Sequence, residues 1–584
     1  MILQALNQYY ERLESDPDVD IAPFGYSRQK ISFCVVLNED GTLHEIVEET
    51  DGNADRPRPK SLIVSGGAKP SGAGINPCFL WDNTAYMLGF KPDDEKPHRT
   101  LESFEAFRAK HLELKSVIDD PEFAAVCSFL QSWRPENAAN HSTLTAVSSG
   151  FGVFRIRGTT HYVHQRPVVK DWWNSQLGSG ESEARIEGQC LLTGLQSRLA
   201  RLHEPKIKGV IDAQSSGAAL VSFNDNAYES FGREQSFNAP VSESAAFQYC
   251  TALNHLLRQG GGKIQIGDAT TVYWTESPSP MEEFFSFVAD PARVSAEDES
   301  QKQKIQATLQ RIVQGESVED LALGDGDTPF YVLGLSPNAA RLSIRFLYVS
   351  TLTEMVAALR QHFSDLAIVR SSDRDPEFPA MWQLLRETVR DSKDIPPLLS
   401  GAVMRAILTG SPYPQMLFSA VLRRIRADRV VNSVRSGMLK ACLNRNSRTG
   451  ISPLIKDIFM SLDPDRPEPA YQLGRLFAEL EKTQEDALPG INATIKDRYF
   501  GAASATPASV FPRIIRGSQH HLGKLEYRSK IHREKQIQEI CGRLNGFQSH
   551  LNLNDQGLFA LGYYHQRQAI FTKKAAPDDA AVNA

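Results

Sequence analysis

Along the first two thirds of the chain, apolar residues recur in two rhythms, the two-residue period of strands and the three- and four-residue spacing of helices. Residues 31–48 combine a β-branched run, the turn Asp40-Gly41 and a second alternating run, which predicts a β-hairpin. A glycine-rich loop follows over 65–77, then a buried strand is expected at Cys78-Phe79-Leu80-Trp81 and helices over 101–116 and 120–133. Further strands are expected near 151–164, 209–223, 263–276 and 328–350. A helix from Ser242 to Leu257 should be capped by Ser242 and should bury Ala246, Tyr249, Cys250, Leu253 and Leu257 along one face. From about residue 375 the strand rhythm stops. What remains is helical spacing broken by prolines at 396–397, 412–414, 464–469, 489 and 507–512. The expected fold class is therefore α+β, a mixed α/β region over 1–372 followed by an all-α helical bundle over 373–584.

Composition narrows the function classes. The 584 residues are 41% hydrophobic and 23% charged, as in a folded soluble protein, and 64 Lys+Arg against 70 Asp+Glu leave a net charge of −6. Any nucleic-acid binding must then come from local basic patches. The seven cysteines form no Cys-x-x-Cys pair, and no stretch approaches the roughly 18 apolar residues of a membrane span. The N-terminus carries no basic segment followed by an apolar one, so a cytoplasmic protein is expected.

A phosphate-binding ATPase loop requires Gly-x-x-x-x-Gly-Lys-Ser/Thr. Lys69 is followed by Pro70 and Lys263 by Ile264, with Leu257 where the first glycine belongs, so neither loop fits. Ala213-Gln214-Ser215-Ser216-Gly217 has the outline of a nucleophile elbow, which would make Ser215 a hydrolase nucleophile, but the small apolar run after it reads as a strand rather than the required helix. The other reading is a tight turn whose Gln and Ser bind backbone or phosphate. His161 and His164 are three apart on an expected strand and would face opposite ways, which argues against a shared metal. No catalytic residue, metal or cofactor is expected.

Basic residues are more informative. Arg423, Arg424, Arg426, Arg429, Arg435, Lys440, Arg445, Arg448 and Lys456 form one cluster, and Arg498, Arg513, Arg516, Lys524, Arg528, Lys530, Arg533, Lys535 and Arg543 a second. Such faces suit a phosphate backbone, and equally a solvated helix or an acidic protein partner. The glycine loop offers Lys69, Ser71, Gly72 and Asn76, a cation and neutral hydrogen-bonding groups on a backbone that a ligand can approach closely.

Several stretches together resemble one family, the large subunit of subtype I-C CRISPR interference complexes (Cascade), the Csd family. They are Asn76-Pro-Cys-Phe-Leu-Trp-Asp-Asn-Thr-Ala-Tyr-Met-Leu-Gly89, the block Lys208–Asn224, Asn238–Phe247, Gly267–Trp274, Leu333–Phe346, Leu473-Gly-Arg-Leu-Phe-Ala-Glu-Leu480, Asp497–Ser504 and Asp555-Gln-Gly-Leu-Phe-Ala-Leu-Gly-Tyr-Tyr-His-Gln566. The resemblance implies a non-catalytic member of an RNA-guided complex. Its N-terminal part would read the protospacer-adjacent motif on double-stranded DNA and help to open it, beside the subunit that holds the handle of the CRISPR RNA. Its helical end would line the displaced strand, with residues 460–584 resembling a Cascade small subunit that is also made separately from an internal start, here Met460 or Met438. Backbone subunits and a recruited helicase-nuclease would be further partners. Within that frame Lys69, Ser71, Gly72 and Asn76 are candidates for the DNA motif, Lys208, Gln214, Ser215 and Ser216 for guide RNA or a neighbouring subunit, and Arg513, Arg516, Lys524, Arg528 and Lys530 for the displaced strand. The rival readings are a serine hydrolase using Ser215 and a general nucleic-acid-binding scaffold.

Overall fold

The β-branched run Ile31–Leu37 belongs to a 12-residue strand, β1 (Tyr26–Leu37), which turns through Asp40-Gly41 into β2 (Leu43–Glu48). This is the hairpin the alternation predicts. The computed structural model describes residues 1–51, 58–67, 69, 74–177, 186–258, 262–266, 268–289, 299–453 and 455–572. Helix α1 (Ile2–Ser15) precedes β1. The first half of β1 pairs antiparallel with β3 (Lys60–Ser65), and its second half runs parallel to β5 (Phe151–Ile156), which carries the short β4 (Trp81–Asn83) on its other edge. Between β4 and β5 lie α2 (Thr84–Leu88), α3 (Pro97–Glu113), α4 (Pro121–Ser132) and α5 (Ser142–Val147). Asp120 caps α4 by accepting the Glu122 and Phe123 amides at 3.0 and 3.1 Å, the role its place before a helix suggests. After β5 come α6 (Pro167–Gln176), the small hairpin of β6 (Glu187–Gln189) and β7 (Gln196–Arg198), and α7 (Glu243–Leu256), capped by Ser242 and buried along the expected face.

Two compact units divide the chain, residues 1–207 with 216–255, and 208–215 with 256–584. The boundary expected at 372–373 comes from the end of strand spacing, and β-strands do end before it, whereas the units part earlier. In the second unit β8 (Lys263–Ile266), β9 (Ala269–Thr275), β10 (Pro329–Asn338) and β11 (Arg341–Thr351) form an antiparallel sheet in the order β11-β10-β9-β8. Helices α8 (Met281–Ala289) and α9 (Glu299–Gln314) lie between β9 and β10 in sequence. Beyond β11 every strand or helix among the described residues is a helix: α10 (Leu352–Leu366), α11 (Met381–Arg386), α12 (Pro397–Thr409), α13 (Gln415–Asp428), α14 (Ser433–Arg448), α15 (Pro469–Ala487), α16 (Ile495–Ala503), α17 (Pro507–Leu522), α18 (Tyr527–Gly542) and α19 (Leu553–Phe571). Prolines 397, 469 and 507 open helices, where the missing N–H is not needed; Pro512 lies inside α17 rather than ending it. One core runs from Ile264 through Tyr563, and at its centre α15 and α19 cross closely.

Three strand expectations fail. Of the run Cys78-Phe79-Leu80-Trp81 only Trp81 lies in a strand, at the start of β4, because Leu80 takes a left-handed φ of 61°. The chain over 209–223 forms no strand, because Gly209, Asp212 and Gly217 take left-handed φ values of 93°, 61° and 94° that turn it repeatedly. The strand at 151 ends at Ile156, so His161 and His164 lie beyond it. His161 meets Glu122 at 2.9 Å, and His164 is buried against the Tyr162 ring.

Five buried histidines give the fold an acid limit. Burial pushes His111, His164 and His203 down to about 4 and His362 and His565 to about 3. Three of them share a hydrogen bond between Nδ1 and a buried tyrosine hydroxyl: His203 with Tyr249 at 2.7 Å, His362 with Tyr413 at 2.6 Å and His565 with Tyr471 at 2.8 Å. An unfolded imidazole, near 6.5, takes a proton that the folded one refuses, so stability is full above that value and is lost as pH falls toward 4. Melting temperature should therefore start to fall below pH about 6.5, before carboxylates titrate. A profile flat from pH 7 to 5 would contradict these neutral, buried rings.

Candidate nucleic-acid interface

The glycine loop leaves β3 at Ser65 and returns at Trp81, and both ends are tied: Ser65 Oγ donates to the Phe79 carbonyl at 2.9 Å, and Trp81 Nε1 to the Ser65 carbonyl at 2.7 Å. Its charged centre is a fully buried carboxylate, Asp82, which accepts the Cys78 amide at 2.9 Å and its neighbour's at 2.8 Å and is paired with the Lys69 ammonium. Lys69 also donates to the Asn76 carbonyl at 2.7 Å and sits 3.2 Å from the centre of the Tyr86 ring. Burial raises the Asp82 carboxyl's affinity for its proton, and Lys69 opposes this. Lys110 holds the Pro77 carbonyl at 2.8 Å from below. Lys69 is thus an anchor inside the loop, with its charge already engaged. Asn76 is exposed, its backbone steadied by an N–H bond to the Tyr86 hydroxyl at 3.2 Å. Ser71 and Gly72 lie outside the described residues.

Asp82 and Tyr86 carry little local mark of this role in the sequence, although both fall in the Asn76–Gly89 motif. The available signal was a carboxylate directly after the apolar run Phe79-Leu80-Trp81, since a charge in such a setting needs a partner.

Lys208, Gln214, Ser215 and Ser216 are all exposed. Ser215 and Ser216 occupy a turn, and the next helical residues are a single short turn at Asn226–Tyr228, so the strand-turn-helix of a nucleophile elbow is not built. Among the described residues, no group of three or more His, Cys, Asp or Glu is arranged to hold a metal ion. No helix among them is long and apolar enough to cross a membrane.

The two basic clusters part company. In the first, Arg435 is buried against Glu387 at 2.6 Å and Asp428 at 2.8 Å, and Arg424 also holds Asp428 at 2.5 Å. Arg445, 1% exposed, bonds Asp365 at 2.6 Å and the Ser411 carbonyl at 2.8 Å while lying over the Tyr413 ring. Arg448 takes the other Asp365 oxygen, and Lys440 caps the end of α10 through the Asp365 carbonyl at 2.8 Å. Arg424, Arg435, Lys440, Arg445 and Arg448 thus form an ionic network joining α10, α11, α13 and α14, whereas Arg423, Arg426, Arg429 and Lys456 of the same cluster are exposed.

The second cluster faces out. Arg513 and Arg516 on α17, Lys524 in the following turn and Arg528 on α18 are exposed, and among the described residues none has a carboxylate within ion-pair distance. Lys530 is half-buried, 3.9 Å from Glu534. Arg533 turns inward to Glu479 at 2.9 Å and Asp486 at 3.2 Å, and Arg543 holds Asp465 at 2.7 Å. Four cations without a carboxylate partner, on α17, in the turn after it and on α18, give a local positive face on an acidic chain, with the charge and reach to follow a sugar-phosphate strand; Arg513 also lies 5.7 Å from the centre of the Tyr499 ring.

Residues 6–571 match the family model described as CRISPR-associated protein (Cas_Csd1). No curated protein matches the chain.

Proposed function

The chain belongs to the Cas_Csd1 family of CRISPR-associated proteins, and from that premise we propose that it is the non-catalytic large subunit of a type I-C Cascade complex. In this reading it acts in the cytoplasm, recognises the protospacer-adjacent motif on duplex DNA through the loop around Asn76, and steadies the displaced strand along α17 and α18. CRISPR RNA, the backbone, handle-binding and small subunits and a helicase-nuclease are its partners. The match over residues 6–571 carries the reading. The geometry supports its division of labour: base pairing with a guide reads the long sequence, so the protein needs only a braced loop for a few base pairs and cations for backbone.

Asn76 is the residue to test. An exposed carboxamide on a fixed backbone can pair with a base edge, and such a contact is worth about 1–3 kcal/mol. Asn76→Ala in the assembled complex should weaken binding to duplex target by about 5- to 150-fold while leaving guide-RNA content and binding to a pre-opened bubble nearly unchanged. Equal losses on duplex and bubble, measured by electrophoretic mobility shift, would remove Asn76 from motif reading. Lys69→Ala is a different experiment, because it strands the buried Asp82 charge and acts through loop order.

A further inference from the structure

Residues 224–234 are exposed without interruption, and among them Phe231 is 98% exposed. Leaving a phenylalanine ring in water forgoes the burial that usually justifies it. The backbone is unusual at the same residue. Phe231 and Gly232 both have left-handed φ, 54° and 66°, and the Arg233 amide donates to the Ser230 carbonyl at 3.0 Å, which makes Ser230–Arg233 a tight two-residue hairpin turn. Asn, Asp or Gly normally fill the first central position of such a turn, and a bulky aromatic is strongly disfavoured there.

The turn is nevertheless braced. Asn238 accepts the Ser230 amide on its side-chain oxygen at 2.9 Å and donates from its side-chain nitrogen to the carbonyls of Arg233 at 2.6 Å and Gln235 at 2.9 Å. Ser236, between these partners, is buried. The fold therefore holds an apolar ring outward, on a backbone that resists it, with no gain to the isolated chain. Such over-determined strain marks contact sites.

The surroundings indicate the kind of partner. Within 224–234 the charged residues are Asp225, Glu229 and Glu234 against Arg233 alone, so a phosphate backbone would meet net repulsion. A protein pocket with apolar walls and a basic rim meets both the ring and its carboxylates. We propose that the Ser230–Arg233 turn is a docking knob whose Phe231 ring enters an apolar, basic-rimmed pocket on another protein subunit of the complex. The proposal rests on membership of a multisubunit assembly and is independent of motif reading.

The test replaces Phe231 with the photo-crosslinker p-benzoylphenylalanine in the full chain, co-expressed with the other subunits and guide RNA. Irradiation should join residue 231 to a peptide of another subunit, identified by mass spectrometry. A nuclease-sensitive adduct, or none, would overturn the proposal. In parallel, Phe231→Asp should lower incorporation of the subunit by at least about tenfold, as for a buried aromatic anchor, while the isolated chain keeps its melting temperature. Undiminished incorporation of that variant would also overturn it. Both readouts score assembly and not DNA binding, so their failure leaves the Asn76 reading standing.

Discussion

Gly562→Val should unfold the helical half of the molecule, and Gly474→Val should do the same. The two glycines lie where α15 and α19 cross. A Cβ on Gly562 would stand 2.0 Å from the Tyr471 carbonyl oxygen, and one on Gly474 would stand 2.0 Å from the Phe559 carbonyl oxygen. In both cases the obstacle is backbone, so no rotamer change relieves it; the helices must separate. Separation would break the buried network between them, in which Arg475 donates to Gln566 at 2.9 Å, Gln566 to Glu479 at 2.8 Å, and Tyr563 to Glu481 at 2.6 Å. Overpacking alone costs about 1–3 kcal/mol, and each stranded buried polar group adds about 1–3 more. The expected result is loss of soluble protein or a collapse of the melting transition in calorimetry. Gly517 on α17 supplies the control, since nothing lies within 4 Å of the Cβ it lacks. Gly517→Ala should be neutral or stabilise by up to about 1 kcal/mol through helix propensity. Equal tolerance at positions 517 and 562 would refute the close crossing.

The second large effect concerns the open basic face. Changing Arg513, Arg516, Lys524 and Arg528 together to glutamine should leave folding intact, because all four are exposed and none holds a carboxylate among the described residues. If these cations follow a displaced single strand, each phosphate contact contributes about 0.7 to the slope of log affinity against log salt. Removing four should flatten that slope by about 3 and destabilise the opened target most at low salt. Measuring opened-target lifetime at several salt concentrations, for wild type and variant, checks this. An unchanged slope would show that the face serves solvent or a protein. The corresponding change in the buried part of the first cluster should behave differently: Arg445→Gln leaves Asp365, itself 2% exposed, with Arg448 as its remaining cation and should lower the melting temperature while leaving the salt slope unchanged.

The helical end also bears on the internal-start expectation. A product beginning at Met460 contains α15 to α19, but the Cβ position of Gly557 on α19 lies 2.5 Å from Phe418 of α13 and 3.4 Å from Leu443 of α14. That side of α19 is covered by helices such a product lacks. Met438 lies inside α14, 1% exposed.

What the sequence alone determined is what depends on neighbours along the chain. The hairpin of β1 and β2, the capped α4 and α7, the proline-opened helices and the disappearance of strands after β11 all follow from apolar period, caps and breakers, which act within a few residues. The stretch 209–223 misled because its small apolar residues alternate suitably while three of its backbone positions turn left-handed. Tertiary structure decided the site. Lys69 reads as a free cation until Asp82, 13 residues on, is seen beneath it, and Arg445 reads as part of a basic face until Asp365, 80 residues earlier, is found against it. Arg513 and Arg516 had the same local appearance and stayed open to solvent. Charge count is a property of composition, but whether a charge is spent inside or offered outside depends on which distant segment folds against it, because desolvation makes a buried cation untenable without a partner.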